Sequence, residues 1–376
     1  MIADNITVAE IKKTNRNNIY RLLRAKPNST KQDIVADLKL SLPTVTTNLV
    51  QFIEAGLVVE SGSFGNAIGR RASTFSIVPE AKIAIGIDIT KKYITIVGVN
   101  LIGEIVYRKR FKEEFKLNSD YCTIVASIVK ELSVEQKYST KQILGVGIGI
   151  PGLIKNNGQT VFYGKTLTDF TGLTIDFFQE FIPYPCRFIK DANAACLAET
   201  WFAEYSEDVF YISLSNYVGG SVRINNKEYI GEGTRSGEVG HITIIPDGLA
   251  CYCGKYGCVD TYCSALRLSE HVNEDLDTFF KQLRNKDQDC LKKFDEYIGY
   301  LALAVNNVRM LFDCKIILGG YVGAYFDDYL EKLKTLLAER NSFEHSGEYV
   351  AVCKWKRDAI AAGAAILYLD EFMKGV

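Results

Sequence analysis

The apolar residues of this chain keep two different periods, and the change near Pro79 constrains the fold more than any other feature. Before it they recur at helical spacing, as Ile19, Leu22 and Leu23 do within Asn15 to Arg24. After it they gather in short strand-like runs, at Ile83–Ile87, Tyr93–Val99 and Glu104–Phe111, followed by a helical stretch at Tyr121–Glu131 and a further strand at Ile143–Ile150. A helical module is therefore joined to a larger α/β body, and 376 residues are enough for two or three cores. The hydrophobic fraction of 47% excludes a disordered chain, and the net charge of −1 singles out no polyanionic or membrane partner.

The first module reads as a winged helix-turn-helix. Ser29 with Gln32 forms a capping-box pattern ahead of an apolar stripe at Ile34, Val35 and Leu38. Ser41-Leu42-Pro43 is an N-cap with proline in the first turn, where its missing N–H costs nothing. In the third helix Val45, Leu49, Phe52 and Ile53 share one face, leaving Thr44, Thr46, Thr47, Asn48 and Gln51 elsewhere. Gly56 suits the helix end, and Leu57–Val59 with Ala72–Ile77 reads as a β-hairpin whose tip ends in Arg70 and Arg71. Such a face enters a major groove, and such arginines a minor groove. The expected DNA contacts are Pro43, Thr44, Thr46, Thr47, Asn48, Gln51, Arg70 and Arg71; the alternative is a helical bundle with a solvated polar face. Residues 1–80 carry ten basic and seven acidic side chains, about +3 in a chain of net −1, which favours the DNA reading.

The β-β-β-α-β order of the body is echoed at Val209–Leu214, Gly220–Ile224 and Lys227–Ile230, without a close sequence repeat. Two similar lobes facing a cleft are expected. The expected division is 1–80 for the reading module, 81–195 for the first lobe and 196–355 for the second, with the helix at 356–376 returning to the first. No run of 18 apolar residues occurs, and no basic segment leads an apolar stretch at the start, so a cytoplasmic protein is expected.

Four segments, Gly145–Gly152 (GVGIGIPG), Lys190–Ala195 (KDANAA), Glu238–His241 (EVGH) and Cys251–Cys258 (CYCGKYGC), together resemble the signature set of the ROK (repressor, open reading frame, kinase) family. The resemblance covers nearly the whole chain. It implies an actin-like sugar-kinase fold and, since a winged module stands in front, the family's repressor branch. The cysteine segment also has its own chemistry: Cys251-x-Cys253-x4-Cys258 brings three thiolates into a tight turn, and His241 completes a tetrahedral structural zinc site. Its alternative is three unrelated thiols beside a core histidine. Of the ten cysteines, Cys263 lies past this knuckle and reads as core.

The resemblance further assigns a base position to Asp191 and sugar contacts to Glu238, His241 and Asp260. Two positions depart from the family pattern, Lys190 standing for Asn and Asp260 for Glu. Lys190 either reads an anionic group on the sugar, pairs with a neighbouring carboxylate, or points outward. Where the family's kinases carry phosphate-binding glycines, this chain reads Asp88-Ile89-Thr90-Lys91-Lys92 and Ser215-Asn216-Tyr217, and only Gly319-Gly320 stays intact. Three functions follow: a sugar-responsive DNA-binding regulator, an active ATP-dependent sugar kinase with a DNA-binding module, and a ligand-independent DNA-binding scaffold. The first is expected, with no catalysis, one zinc ion, double-stranded operator DNA as partner, and a homodimer or dimer of dimers.

Overall fold

The structure is a computed structural model that describes residues 7–64, 72–201, 207–272 and 275–376. Helix α1 spans Val8–Ala25, starting well before the expected Asn15. What starts it there is Thr7, which caps Glu10 N–H while the Glu10 carboxylate accepts from Thr7 N–H. Helix α2 spans Lys31–Leu38, and its capping box is Thr30 with Asp33, correcting Ser29 with Gln32 by one residue. The reason is tertiary: Ser29 and Thr30 form a short strand, β1, and the Ser29 hydroxyl donates instead to the Lys26 carbonyl. Helix α3 spans Leu42–Glu54, capped by Ser41 as its sequence requires. Val45, Leu49 and Phe52 are buried and Tyr20 meets the Phe52 ring edge-on, whereas Ile53 stays exposed. Strands β2 (Val58–Phe64) and β3 (Ala72–Ile77) follow as an antiparallel pair, with β1 on the other side of β3.

The body contains two five-stranded sheets of one topology. The strands are β4 (Ile83–Ile89), β5 (Tyr93–Asn100), β6 (Ile105–Lys112), β7 (Ile143–Ile150), the small hairpin β8 (Leu153–Lys155) and β9 (Thr160–Tyr163), β10 (Cys186–Lys190), β11 (Val209–Leu214), β12 (Val218–Ile224), β13 (Lys227–Glu228), β14 (Lys315–Gly319) and β15 (Val350–Val352). The first sheet runs β6-β5-β4-β7-β10 and the second β13-β12-β11-β14-β15. In each, three strands meander antiparallel and two more join parallel. The echo in the sequence is therefore a repeat of topology. Strand β13 ends at Glu228, short of the expected Ile230, although Tyr229 N–H still donates to Val222 O at 2.8 Å.

The helices of the body include α4 (Ser119–Glu135), α5 (Asp191–Trp201), α6 (Gln288–Phe312) and α7 (Ala359–Gly375). Helix α7 packs against α5 and against β4 and β7, so the end of the chain lies on the first sheet. Glycines make that approach possible: a Cβ at Gly147 would sit 2.0 Å from the Ala364 carbonyl oxygen, and one at Gly363 1.7 Å from that of Ala194. The helical module docks on the same layer. The Arg24 guanidinium of α1 lies over the Trp201 ring, 4.2 Å from its centroid, and donates to the Trp201 carbonyl at 3.3 Å, while the Asn17 amide donates to Lys374 O at 3.4 Å. Among the described residues no helix is long and apolar enough to cross a membrane.

Candidate effector cleft, metal centre and nucleic-acid face

Parallel pairing of β10 with β7 sets Lys190 beside Ile150, so the Pro151-Gly152 turn and the start of α5 meet at the carboxyl edge of the first sheet, where α/β folds bind ligands. Opposite them stand Val218 and Gly219 of β12, the turn at Arg235–Glu238 and the knuckle. Together they enclose a cavity of about 430 Å³ whose walls include Lys190, Asp191, Glu238 and His241, four of the five sugar contacts expected from the sequence.

The fifth, Asp260, does not line this cavity. Its buried carboxylate accepts from Val218 N–H at 2.6 Å, and burial, opposed by that hydrogen bond, pushes the group up to about 6. Asp260 Oδ1 thus holds a strand of the cavity wall. Lys190 is buried, pairs with the Glu238 carboxylate and donates to Gly220 O at 3.2 Å. It takes the carboxylate-paired course of the three considered. Desolvation pushes the Asp191 carboxyl up to about 6, against the opposing charge of Lys190 and a 2.7 Å hydrogen bond from Ala192 N–H. Sequence reasoning missed Lys165, Arg235, Tyr217 and Tyr252, which also line the cavity. Tyr252 carried a signal by lying inside the cysteine motif, and Tyr217 by standing in the Ser215-Asn216-Tyr217 departure, whereas Lys165 and Arg235 carried none.

His241 stands where cavity and knuckle meet. Its Nδ1 is 3.9 Å from Cys251 Sγ and its Nε2 is 3.1 Å from the Tyr252 hydroxyl, so one ring nitrogen faces the thiols and the other the cavity. The donor atoms of His241, Cys251, Cys253 and Cys258 all lie within 4.8 Å of one another. Cys253 Sγ and Cys258 Sγ are 3.8 Å apart, which matches the edge of about 3.8 Å for a tetrahedron with Zn–S bonds of ~2.3 Å. Gly257, at φ +75°, closes the turn where a side chain would meet Ile245 O. The set fits zinc by donor type and spacing. Cys263 is fully buried in the second lobe's core.

On α3 the expected DNA contacts divide. Pro43 and Thr47 are exposed, and Thr44 and Thr46 are half-buried at the same surface. Asn48 turns back to donate to Thr44 O at 2.8 Å, so it does not present a free amide donor set outward. The Gln51 side-chain Oε1 accepts from Arg16, whose guanidinium lies 4.4 Å from the Phe52 ring centroid. Arg16 was missed because only the fold brings α1 to that edge. Arg70 and Arg71 lie outside the described residues.

A family model described as "ROK family" matches residues 84–371. The chain belongs to the ROK family. It is similar to the xylose repressor of Caldicellulosiruptor bescii, 25% identical over 358 residues that span 89% of this chain and 90% of that protein. In fold it is similar to a ROK family transcriptional regulator described as a homologue of the Escherichia coli MLC protein, with TM-score 0.78, 20% identity and 97% of each chain covered. It is also similar to a ROK glucokinase from Streptomyces griseus, with TM-score 0.61 and 24% identity, over 76% of this chain and 98% of that one.

The turn between β4 and β5 uses two of its donors internally. Thr90 N–H donates to Tyr93 O at 3.0 Å, and Tyr93 N–H donates to the Thr90 hydroxyl. Gly320 N–H, in the one intact glycine turn, donates to the Tyr211 hydroxyl at 3.3 Å. Asp88 is buried and pushed up to about 7, by desolvation first and then by Asp191.

Proposed function

We propose that this chain is a sugar-responsive transcriptional repressor of carbohydrate-metabolism genes, whose residues 1–80 read operator DNA and whose cleft binds a sugar effector. The observation that carries this reading is one helix. α5 begins at Asp191 in the cleft wall and ends at Trp201, against Arg24 of the module that bears α3. A ligand that moves Asp191 therefore acts on a rigid rod of 11 residues, about 16 Å at 1.5 Å per residue, whose far end touches the DNA-reading unit. The repressor name of the relative matched over 89% of this chain supports the same conclusion.

In this reading a structural zinc ion is held by His241, Cys251, Cys253 and Cys258, and orients the imidazole whose other nitrogen faces the sugar. Asp191, Glu238, His241 and Lys190 form the effector site. Pro43, Thr44, Thr46, Thr47 and Gln51 of α3 meet the major groove, with Arg70 and Arg71 at the wing. A two-fold homodimer on a palindromic site, or a dimer of dimers, supplies the affinity that one module lacks. The test is operator titration at several salt concentrations. Alanine at Thr47, Arg70 and Arg71 together is expected to weaken binding at least tenfold and flatten the salt slope, by about 0.9 for each phosphate no longer neutralised. Unchanged affinity and slope would remove this face from the mechanism.

The kinase reading is disfavoured by Thr90-Lys91-Lys92 and Ser215-Asn216-Tyr217, which stand where the resemblance puts phosphate-binding glycines, and by the occupied Thr90 N–H, since phosphoryl transfer depends on positioned donors around the phosphates. Incubation with ATP and a panel of aldoses is expected to show no phosphorylation above background. Sustained turnover would restore the kinase reading.

A further inference from the structure

We propose that the cleft takes an anionic sugar, one carrying a carboxylate or phosphate that the Arg235 guanidinium receives, in preference to the neutral parent sugar. This inference rests on the effector reading of the cleft given above.

The charged groups of the cleft are not equally satisfied. Glu238 is already engaged by Lys190, and Asp191 accepts from Ala192 N–H. Lys165, at the mouth, has Asp169 at 3.9 Å. Arg235 also lines the cavity, yet among the described residues its guanidinium has no hydrogen bond and no ion pair. Arg235 is exposed, so its five N–H donors meet water in the open cleft, and their fixed fork matches the two oxygens of a carboxylate or phosphate that would take the place of that water.

Lys190 has a different part from that of direct reader. With its ammonium on Glu238, it cancels the carboxylate that would repel an incoming anion, and it leaves Arg235 uncompensated. It also bonds the strand on which the Arg235–Glu238 turn rests. Its second bond goes to Gly220 O, the same carbonyl against which the Arg235–Glu238 turn is pressed: a Cβ at Gly237, φ +77°, would lie 2.5 Å from that oxygen. Ser236 N–H donates to Ile230 O and Glu238 N–H to Arg235 O, closing the turn on itself. The arginine is therefore carried on a braced turn, which lowers the ordering cost of binding. The wall around it suits a sugar ring, since Tyr217 and Tyr252 meet edge to face at 4.8 Å and offer apolar surface to C–H groups.

Calorimetry on the full-length zinc-loaded protein, at one fixed ionic strength, tests the inference with matched sets: glucose, glucuronate and glucose 6-phosphate; galactose, galacturonate and galactose 6-phosphate; xylose and xylonate. The expected result is an acidic member binding at least tenfold more tightly than its neutral parent. Arg235→Ala should erase that advantage and Arg235→Lys should restore part of it, with residual binding of the neutral parent showing that the cleft remains formed. A uronate ahead of the phosphate identifies a carboxylate ligand, and the reverse order a phosphate. Equal or tighter binding of a neutral parent overturns the inference while leaving the effector reading intact. An acidic preference that survives Arg235→Ala overturns the role of Arg235. Binding of no member, neutral or acidic, rejects the effector reading and this inference with it.

Discussion

Cys253→Ser is expected to strip the protein of its zinc and to unfold the knuckle together with the cavity wall it supports. Structural zinc contributes about 10–16 kcal/mol of apparent binding free energy in isolated zinc-finger peptides, which compares with about 5–15 kcal/mol for the whole stability of a domain. Even a fraction of it decides whether this region folds. The turn has backbone bonds of its own, Cys251 N–H to Lys255 O and Gly257 N–H to Leu249 O, both at 2.8 Å, and a metal held by the four side chains would add to these. Tyr252 and His241, which line the cavity, are placed by it, so sugar binding should fall with metal content. Elemental analysis should give one zinc per wild-type chain and a substoichiometric amount in the variant, with a lower Tm. Metal-free protein of undiminished Tm would reduce the cluster to ordinary buried thiols.

Glu238→Ala should be markedly more damaging than removal of a surface charge. The Lys190 side chain is 9% exposed and that of Glu238 28%. Removing Glu238 leaves a nearly buried ammonium with Gly220 O as its remaining hydrogen-bond partner and the more distant charges of Asp191 and Glu228 as partial compensation. Breaking a buried pair in this one-sided way costs about 3–5 kcal/mol, and the partial exposure of Glu238 places this case toward the lower end. The double variant Lys190→Met, Glu238→Ala removes the stranded charge as well and should recover much of the loss, which thermal or urea unfolding of both variants would show. Equal destabilisation by single and double variants would mean that the ion pair is not what the single change breaks. Glu238→Gln keeps the shape and an acceptor for Lys190, and is the gentler change for binding work.

Much of the fold was legible because local chemistry and tertiary packing agree. Ser41 caps α3 as its spacing requires, Ile143–Ile150 is a strand at those residues, and the repeated β-β-β pattern became two sheets of one order. The failures share a cause in contacts between segments distant in sequence. Ser29 yields the cap to Thr30 because it pairs with Phe75, and Asp260 turns to Val218 on a strand 42 residues earlier. The cleft was legible as four motifs, each ending a strand or forming a turn at one edge. Arg235 and Arg16 were not, since a basic residue in a polar stretch carries no mark until another segment brings its surroundings. The Lys190 substitution could be seen in the sequence, but its partner Glu238, 48 residues away, decided its meaning.

The central claim is that the cleft and the DNA-reading module are one coupled device, and operator affinity measured with and without effector tests it most directly. Using the tightest-binding sugar from the matched sets, wild type should lose at least tenfold in operator affinity at saturating ligand, the size of a coupling of about 1.4 kcal/mol. Arg24→Ala, which cuts the link to Trp201, should bind both DNA and sugar while showing less of that change. A ligand that binds the cleft with full affinity yet leaves operator affinity unaltered in wild type would contradict the account.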